Sequence, residues 1–277
     1  MPKKKITPDL IEKFQIERQF HDKWAEKIKP RTVNYIGAFE AVTAVENRFA
    51  LAQFGDIKGK KILDLGCGMG DASLYFAYRG AKVFAVDISP GMIRLVKRLS
   101  RERGYTKSII AKEMVAEDLK FRSNFFDFVF GNGVLHHVEP HLALQEIHRV
   151  LKPGGVACFI DPLGHNPVIN IYRKIADKVR TPTETPLRYS ELENLTNAEF
   201  KKKLHKEFHL LTLLIFIWFY LFEKVSPNRE RYWKKIIDDA PRIGIYFSLL
   251  YKIDDFILGT FPFLRKYCWN TVLVLKK

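Results

Sequence analysis

Cysteines are scarce in this chain of 277 residues, and the three present form no framework. Cys67, Cys158 and Cys268 are scattered and make no C-x-x-C pair, a pattern that indicates reduced thiols. The first residues, Met-Pro-Lys-Lys-Lys, lack the apolar core of a signal peptide. Internal repeats and low-complexity tracts are also missing. We therefore expect a cytoplasmic globular protein and not a small disulfide-bonded secreted one.

Long hydrophobic runs are missing too. The longest uncharged stretch, Leu210–Phe222, has 13 residues, whereas a membrane-spanning helix needs about 20. Its Ile, Phe, Trp and Tyr content favours a buried strand. The alternatives left open are that this strand runs on into a helix and that the stretch anchors the protein at a membrane interface.

Acidic side chains are few relative to basic ones, 31 against 46, which gives a net charge of +15. Residues 166–277 carry +8 of this excess. Such a balance is typical of proteins that bind nucleic acid, an anionic membrane or an acidic substrate, but it also occurs as a simple solubility feature.

What the sequence does contain is an alternation of strand and helix patterns. Two amphipathic helices, at about 8–28 and 34–54, come first and predict an N-terminal cap over residues 1–58. From residue 59 onwards, strands and helices of 9 to 15 residues alternate, which predicts a mostly parallel, doubly wound α/β sheet with helices on both faces. The predicted strands are 61–65, 82–87, 108–115, 126–131 and 155–160, and the predicted helices between them are 71–79, 89–103 and 140–150.

A glycine-rich turn follows the first of these strands. Residues 62–70 read ILDLGCGMG, and the next strand ends on Asp87. Glycines at such a turn let a ligand approach the backbone, and an acidic residue at the tip of the next strand can bind both hydroxyls of a ribose. The carboxylates of Asp64 and Asp71 would repel a pyrophosphate but suit a cation such as a sulfonium amino acid. The sequence thus predicts a site for an adenosine-containing cofactor.

Three further blocks complete a family resemblance. They are the strand 125–130 (FFDFVF), the loop 131–138 (GNGVLHHV) and the turn 149–155 (RVLKPGG) leading into a fifth strand. With the glycine turn they resemble the class I S-adenosylmethionine-dependent methyltransferases over about residues 60 to 161. The resemblance implies a Rossmann-like seven-stranded sheet and S-adenosyl-L-methionine as cofactor. It makes the run 209–222 the sixth strand, after a helical stretch 197–208, and 269–275 the final, antiparallel strand.

The resemblance also implies which residues bind the cofactor. Gly66, Cys67, Gly68 and Gly70 would line its amino-acid end, with Asp64 on the ammonium group and Asp87 on the ribose. Ile88 would flank the adenine, and Asn132 and Leu135 would lie beside the methionine portion. The family often has an Asp before an Ala to bind the adenine amino group. Here residues 115–118 read VAED, so that this contact would fall to Ala116 and Glu117, to Asp118 or to backbone groups.

The expected acceptor is a hydrophobic small molecule, methylated on oxygen or carbon. Segments 162–196 and 223–266 are predicted insertions that form the substrate chamber, and the second is rich in aromatic residues. The Asn-Pro-Pro-Tyr type of motif, which is typical of enzymes that methylate amino groups of bases or glutamine, is absent after the fourth strand. Basic residues could draw the protein to an anionic membrane surface that holds a lipid-like acceptor.

Histidines are the candidate bases. We expect His136, His137 and His165 to be catalytic candidates, followed by His21, although each could be purely structural. Phe20 or Trp24 could contact the sulfonium through a cation–π interaction, or could simply be buried. No group of side chains has a trusted metal-ligand spacing, so that we expect no metal.

Two rival functions remain open from the sequence. The basic charge is compatible with an RNA methyltransferase, although no nucleic-acid-binding module is recognisable. The second rival function is that of a scaffold protein that binds the cofactor but does not catalyse methyl transfer.

Overall fold

The computed structural model describes residues 6–192, 200–226, 228 and 230–277, with the side chains of residues 202 and 203 left out. A single seven-stranded sheet forms the centre of the molecule, with strand order β3-β2-β1-β4-β5-β7-β6. Its strands are β1 (Lys61–Leu65), β2 (Lys82–Asp87), β3 (Ile109–Glu113), β4 (Phe126–Asn132), β5 (Leu151–Pro162), β6 (Lys202–Phe208) and β7 (Asn270–Lys276). Strand β7 runs antiparallel to both β5 and β6, whereas the other pairs are parallel. The predicted fold class is confirmed.

Helices cover both faces of the sheet, as its apolar strands require. They are α1 (Pro8–Lys27), α2 (Gly37–Glu40), α3 (Val45–Phe54), α4 (Asp71–Tyr78), α5 (Pro90–Glu102), α6 (Pro140–Val150), α7 (Pro167–Ile175), α8 (Leu213–Leu221), α9 (Tyr232–Asp238) and α10 (Ala240–Thr260). One core cluster includes residues of α3, α4 and α5, and the other includes residues of α6. The helix predicted over 34–54 is in fact two helices, α2 and α3.

Helix α1 packs against α5, the helix that follows β2, and hydrogen bonds tie it to the start of α5. Thr7 caps α1, and Pro8 occupies its first turn. Oδ1 of Asp22 accepts the Oγ–H of Ser89 at 2.6 Å and the N–H of Gly91 at 2.7 Å. These bonds place one face of α1 above the carboxyl ends of β1 and β2.

The sixth strand is not where the sequence analysis put it. Strand β6 is Lys202–Phe208, within the stretch expected to be helical, and the run expected to be the strand instead forms helix α8, Leu213–Leu221. Among the described strands, β6 pairs only with β7 and is therefore an edge strand. Charged residues are common in edge strands and hide the strand pattern. An uncharged apolar run, in turn, does not distinguish a buried strand from a buried helix.

A buried carboxylate marks the boundary between β6 and α8. Asp254 of α10 accepts the backbone N–H groups of Leu210, Leu211 and Thr212. These are donors at the start of α8 that no helical partner can satisfy. His209, at φ +69°, turns the chain between the two elements. Among the described residues, no helix is both long and apolar enough to cross a membrane.

Candidate active site

A cavity of about 390 Å³ opens at the carboxyl ends of the central strands. Its walls come from the turns after β1, β2 and β4, from α1, from the segment after α7, and from α9. Parallel α/β sheets bind their ligands at this edge, where the strand order reverses. In this sheet the reversal lies between β1 and β4, which are the strands beneath the cavity.

The glycine turn is fixed by contacts that only glycine permits. Gly66 has φ +63°, and a Cβ atom there would lie 2.5 Å from Cγ2 of Val134. The N–H of Gly68 donates to Oδ2 of Asp87 at 2.9 Å, and the N–H of Ser89 donates to Oδ1 at 2.9 Å. Asp87 therefore joins the turn after β1 to the loop after β2, and its carboxylate lines the cavity.

Four carboxyl groups line this end of the cavity, on Asp64, Asp71, Asp87 and Glu117. Burial raises the pKa of each of them, that of Asp64 to about 7 even though Ser73 donates a hydrogen bond to it at 2.5 Å. Within the described part of the chain, none of the four forms a salt bridge. A cluster of buried, unpaired acids favours a cationic ligand.

Most residues expected to bind the cofactor lie on this wall. Those that line the cavity are Asp64, Gly66, Cys67, Gly68, Asp87, Ile88, Ala116, Glu117 and Asn132. Gly70 and Leu135 do not: Gly70 precedes α4 at φ +83°, and Leu135 is fully buried in the core. Of the two acids considered for the adenine contact, Glu117 lines the cavity, whereas Asp118 pairs with the exposed Lys120.

His136 lies next to this wall, in contact with a carboxylate that the sequence analysis did not single out. Its Nδ1 is 2.7 Å from Oδ1 of Asp161, which also accepts the backbone N–H of His136 at 3.2 Å. Burial lowers the pKa of His136 well below the usual value and raises that of Asp161 to about 7. Because Oδ1 already accepts the backbone N–H, we assign the ring proton to Nδ1, which leaves Nε2 as a proton acceptor.

His137 has a different carboxylate partner, from the N-terminal helix. Its Nδ1 is 3.1 Å from Oε1 of Glu17, which also accepts hydroxyl protons from Thr181, at 2.9 Å, and from Thr183. Burial acts against ionisation of Glu17, but bonds to His137 and His21 hold the pKa of this acid below its usual range. His165, the third candidate base, does not line the cavity.

The aromatic residues of α1 also line the cavity, and one is already in contact with a cation. The guanidinium carbon of Arg231 lies 3.8 Å from the centre of the Trp24 ring. One face of Trp24 therefore packs against Arg231. Phe20 also lines the cavity, and no Lys or Arg in the described part of the chain lies over its ring.

Two overlapping groups of side chains in the described part could hold a metal ion by distance alone. They are Glu17, His21 and His137, and His136, His137 and Glu184, with ligand atoms within 4.8 Å of one another. They come together from segments far apart in sequence, so that the spacing along the chain gave no sign of them.

Only some of the residues that were missed carry a signal in the sequence. Asp161 lies at the end of a strand, like Asp87, and could have been chosen on that ground. Glu17, Arg180 and Arg231 also line the cavity, but they lie outside the family motifs and carry no local signal.

Comparison with known proteins places residues 63–159 in a family model described as a methyltransferase domain. The chain is 36% identical over 156 residues to a demethylmenaquinone methyltransferase of Symbiobacterium thermophilum, covering 53% of this chain and 59% of that protein. It is 30% identical over 162 residues to a ubiquinone biosynthesis O-methyltransferase of Pseudomonas aeruginosa, covering 57% and 62%. It is also 32% identical over 118 residues to a ubiquinone/menaquinone biosynthesis C-methyltransferase of Yersinia pestis, covering 41% and 47%. The matches thus span less than two thirds of these relatives.

Solved structures show the same fold at low sequence identity. The geranyl diphosphate C-methyltransferase of Streptomyces coelicolor A3(2), solved with Mg²⁺, geranyl diphosphate and S-adenosyl-L-homocysteine, superposes with a TM-score of 0.56 at 15% identity. The superposition covers 83% of this chain and 77% of that one.

Proposed function

Because residues 63–159 belong to the methyltransferase-domain family, we propose that the protein is an S-adenosyl-L-methionine-dependent methyltransferase. Its acceptor is a hydrophobic small molecule, methylated on oxygen or carbon. The observation that carries the proposal is the set of four carboxyl groups near the glycine turn, three of them buried and that of Asp71 half-buried, none of which forms a salt bridge with the described residues. A ligand with both a sulfonium and an ammonium charge compensates such a cluster.

The residues present fit this cofactor. We assign Asp64 and Asp71 to its cationic amino-acid end, Asp87 to the ribose and Glu117 to the adenine amino group. Each carboxylate of a buried acid has up to four acceptor sites, and the two backbone bonds to Asp87 leave capacity for two hydroxyl groups. When bound, S-adenosyl-L-methionine supplies an electrophilic methyl group on sulfur.

His136 is the proposed general base. Asp161 holds its ring with Nδ1 engaged, so that Nε2 takes the proton of an acceptor hydroxyl. For O-methylation this proton leaves the oxygen that is methylated. For C-methylation of a hydroxylated ring, its loss makes the ring carbon more nucleophilic. After the methyl group has moved from sulfur to this carbon, the carbon loses its own proton and the ring becomes aromatic again. One base therefore serves both reactions, in line with the C- and O-methyltransferases among the relatives.

The acceptor class follows from these relatives and from the walls of the cavity. Two relatives are named for quinone biosynthesis, and Tyr172, Tyr232 and Trp269 supply aromatic surface on the side of the cavity away from the carboxylates. Flat aromatic or isoprenoid acceptors suit such walls. We extend this class to the present chain as part of the proposal.

The test is to incubate the protein with methyl-labelled S-adenosyl-L-methionine and total cell extract, and to partition the label. We expect label in the organic phase, and its loss in Asp87→Ala, with His165→Gln as a control outside the cavity. Label in RNA would contradict the hydrophobic small-molecule acceptor and would identify the protein as an RNA methyltransferase. Tight cofactor binding without any labelled product would support the scaffold.

We also propose that the protein contacts an anionic membrane surface through α8 and α10. These helices expose apolar side chains, among them Leu221, Ile245, Leu249 and Phe256, each at least 60% exposed. Lys252 of α10 adds a positive charge beside them, whereas Arg242 of the same helix pairs with Glu223 and Asp239. Exposed apolar patches flanked by basic residues are typical of peripheral membrane contacts.

Vesicle flotation tests this contact. Vesicles with anionic lipid should carry the protein upward, and vesicles of neutral lipid should do so less. The double variant Ile245→Ser, Phe256→Ser should lose most of the binding, whereas Ile11→Ser on α1, also an exposed apolar residue, should not. Equal flotation of all three proteins would contradict the proposal.

A further inference from the structure

Three arginines gather on the side of the cavity opposite the carboxylates. Arg180 and Arg231 line the cavity, and Arg173 of α7 lies behind them. One guanidinium nitrogen of Arg173 donates to the carbonyl oxygen of Leu163, just beyond β5. Arg180 lies over the ring of Tyr172, which in turn packs against Trp269 at the start of β7. Arg173 and Arg180 therefore lie on the β5–β7 side of the cavity. Arg231 reaches the same region through its bond to the carbonyl oxygen of Val179 and packs on Trp24 of α1.

The positive charge of these arginines is not balanced by the described residues around them. Arg180 pairs with Glu184 at 2.8 Å. Arg173 donates to Oδ1 of Asn170 and to the Leu163 carbonyl, and Arg231 donates to the carbonyl oxygen of Val179 at 2.8 Å. Within the described part of the chain, Glu184 is thus the only carboxylate that forms a salt bridge with any of the three.

Two of the donor atoms also lack a partner. Nε of Arg173 and Nε of Arg180 are buried and form no hydrogen bond with the described residues. Burial, together with the charge of Arg180, lowers the pKa of Arg173 to about 10, and burial lowers that of Arg231 to about 10. A buried charge without a counter-charge is costly, and so is a buried donor without an acceptor. An anion bound in the cavity would offset the charge of the three arginines and offer an acceptor to Arg180, which lines the cavity.

We propose that these arginines form a subsite for an anionic group, a phosphate or a carboxylate, carried by the methyl acceptor. The inference rests on the proposed function, which it makes more specific. The acceptor then has an apolar body along Tyr172 and Trp269 and an anionic group on Arg231 and Arg180. Guanidinium groups suit this role because their fork of donors matches the oxygens of both anions. His136 lies between the two charged ends, beside Asp161 of β5.

Binding of three probes with the same alkyl chain tests the subsite: octyl phosphate, octanoate and octanol. Calorimetry is done on protein loaded with S-adenosyl-L-homocysteine. We expect at least one anionic probe to bind ten-fold or more tightly than octanol. The two anions compared with each other identify the preferred group.

Substitutions of the arginines test whether the preference for the anionic probes over octanol depends on these side chains. Arg231→Gln and Arg180→Gln should each reduce the preference for the anion about ten-fold and leave octanol binding unchanged. Arg98→Gln, an exposed arginine of α5 paired with Glu102, is the matched control and should bind like the parent. Should Arg231→Gln fail to fold, Arg231→Lys keeps the charge without the fork and should retain part of the preference.

Two results would overturn the subsite. One is equal binding of the anions and octanol by the parent protein. The other is a loss of S-adenosyl-L-homocysteine affinity in Arg231→Gln as large as the loss of anion affinity, which would assign the arginine to the cofactor's carboxylate. If the parent protein binds no S-adenosyl-L-homocysteine, the proposed function fails, and the probes applied to the unloaded protein still decide the subsite.

Discussion

His136 and Asp161 form a buried pair in which the histidine ring and its own backbone N–H both contact the same carboxylate oxygen, at 2.7 and 3.2 Å. The two residues come from the loop after β4 and from β5, which are neighbours in the sheet. Because the oxygen is fixed by the backbone, the orientation of the ring is fixed too. The pair therefore presents Nε2 in a defined position, as a general base requires.

Replacing His136 by Gln should lower kcat by about 10²–10⁴-fold, the usual contribution of a general base. His165→Gln should leave kcat near the parent value because His165 does not line the cavity. Steady-state rates of the two variants, measured with the acceptor identified by labelling, check the prediction. Equal rates in both variants would remove His136 from the mechanism.

The pH dependence of kcat, measured at saturating cofactor so that the ionisation of Asp64 does not enter, should also reflect His136. The neutral ring accepts the proton, so that activity is lost when falling pH protonates it. Because burial lowers the pKa of His136 well below its usual value, the acid limb should lie below about 6.5, the ordinary pKa of histidine. A pH–rate profile measures this limb, and a limb at or above the ordinary value would argue against His136 as the base.

Asp64→Asn should have opposite effects on stability and on cofactor affinity. Burial raises the pKa of Asp64 to about 7, so that the folded protein binds a proton more tightly there than the unfolded chain does. The contribution of Asp64 to the free energy of unfolding is therefore fully present below about pH 4 and is lost as the pH rises towards 7. At pH 8 the variant should melt several degrees higher without ligand, since about 1 kcal/mol shifts Tm by about 2–4 °C.

The same variant should bind S-adenosyl-L-methionine more weakly, because it has lost a carboxylate that attracts the cation. In the parent protein, affinity should rise between pH 6 and 8 as Asp64 ionises. Thermal melts and calorimetry at both pH values measure the two effects. Ser73→Ala, which removes only the hydrogen bond to Asp64, is the control. An unchanged affinity in Asp64→Asn would remove this residue from the site.

Turnover should survive chelation with EDTA. Oε1 of Glu17 accepts hydrogen bonds from two threonine hydroxyl groups and contacts His137, so that internal partners already occupy this oxygen. The other oxygen, Oε2, lies 3.5 Å from Nε2 of His21. Rates before and after exhaustive chelation check the expectation. A loss that Mg²⁺ or Zn²⁺ restores would instead show that the Glu17, His21 and His137 group holds an ion.

Asp254→Ala should destabilise the protein by roughly 3 kcal/mol, because it leaves three buried or half-buried N–H donors at the start of α8 without an acceptor. Asp255→Ala, the neighbouring exposed acid paired with Lys206, should cost less than about 1 kcal/mol. Urea unfolding of the two variants provides the comparison. Similar losses would contradict the role given to Asp254.

The sequence by itself determined the cofactor half of the fold. The turn from Gly66 to Gly70, the acid at Asp87 and the alternation of β1 to β5 with helices are local patterns. Each depends on what the backbone requires over a few residues, such as a positive φ or a period of two or 3.6. His136 and His137 could also be predicted from the sequence, because they lie within the motif of residues 131–138.

Only the tertiary structure decided the partners of these residues. Glu17 and Thr181 are 164 residues apart and share a hydrogen bond, and Arg231 packs on Trp24. The sixth strand was misplaced for the same reason. Lys202–Phe208 is a strand because it pairs with β7 at the edge of the sheet, whereas its charged sequence by itself does not favour a strand. Contacts between distant segments depend on how the elements pack, and no short stretch of sequence encodes them.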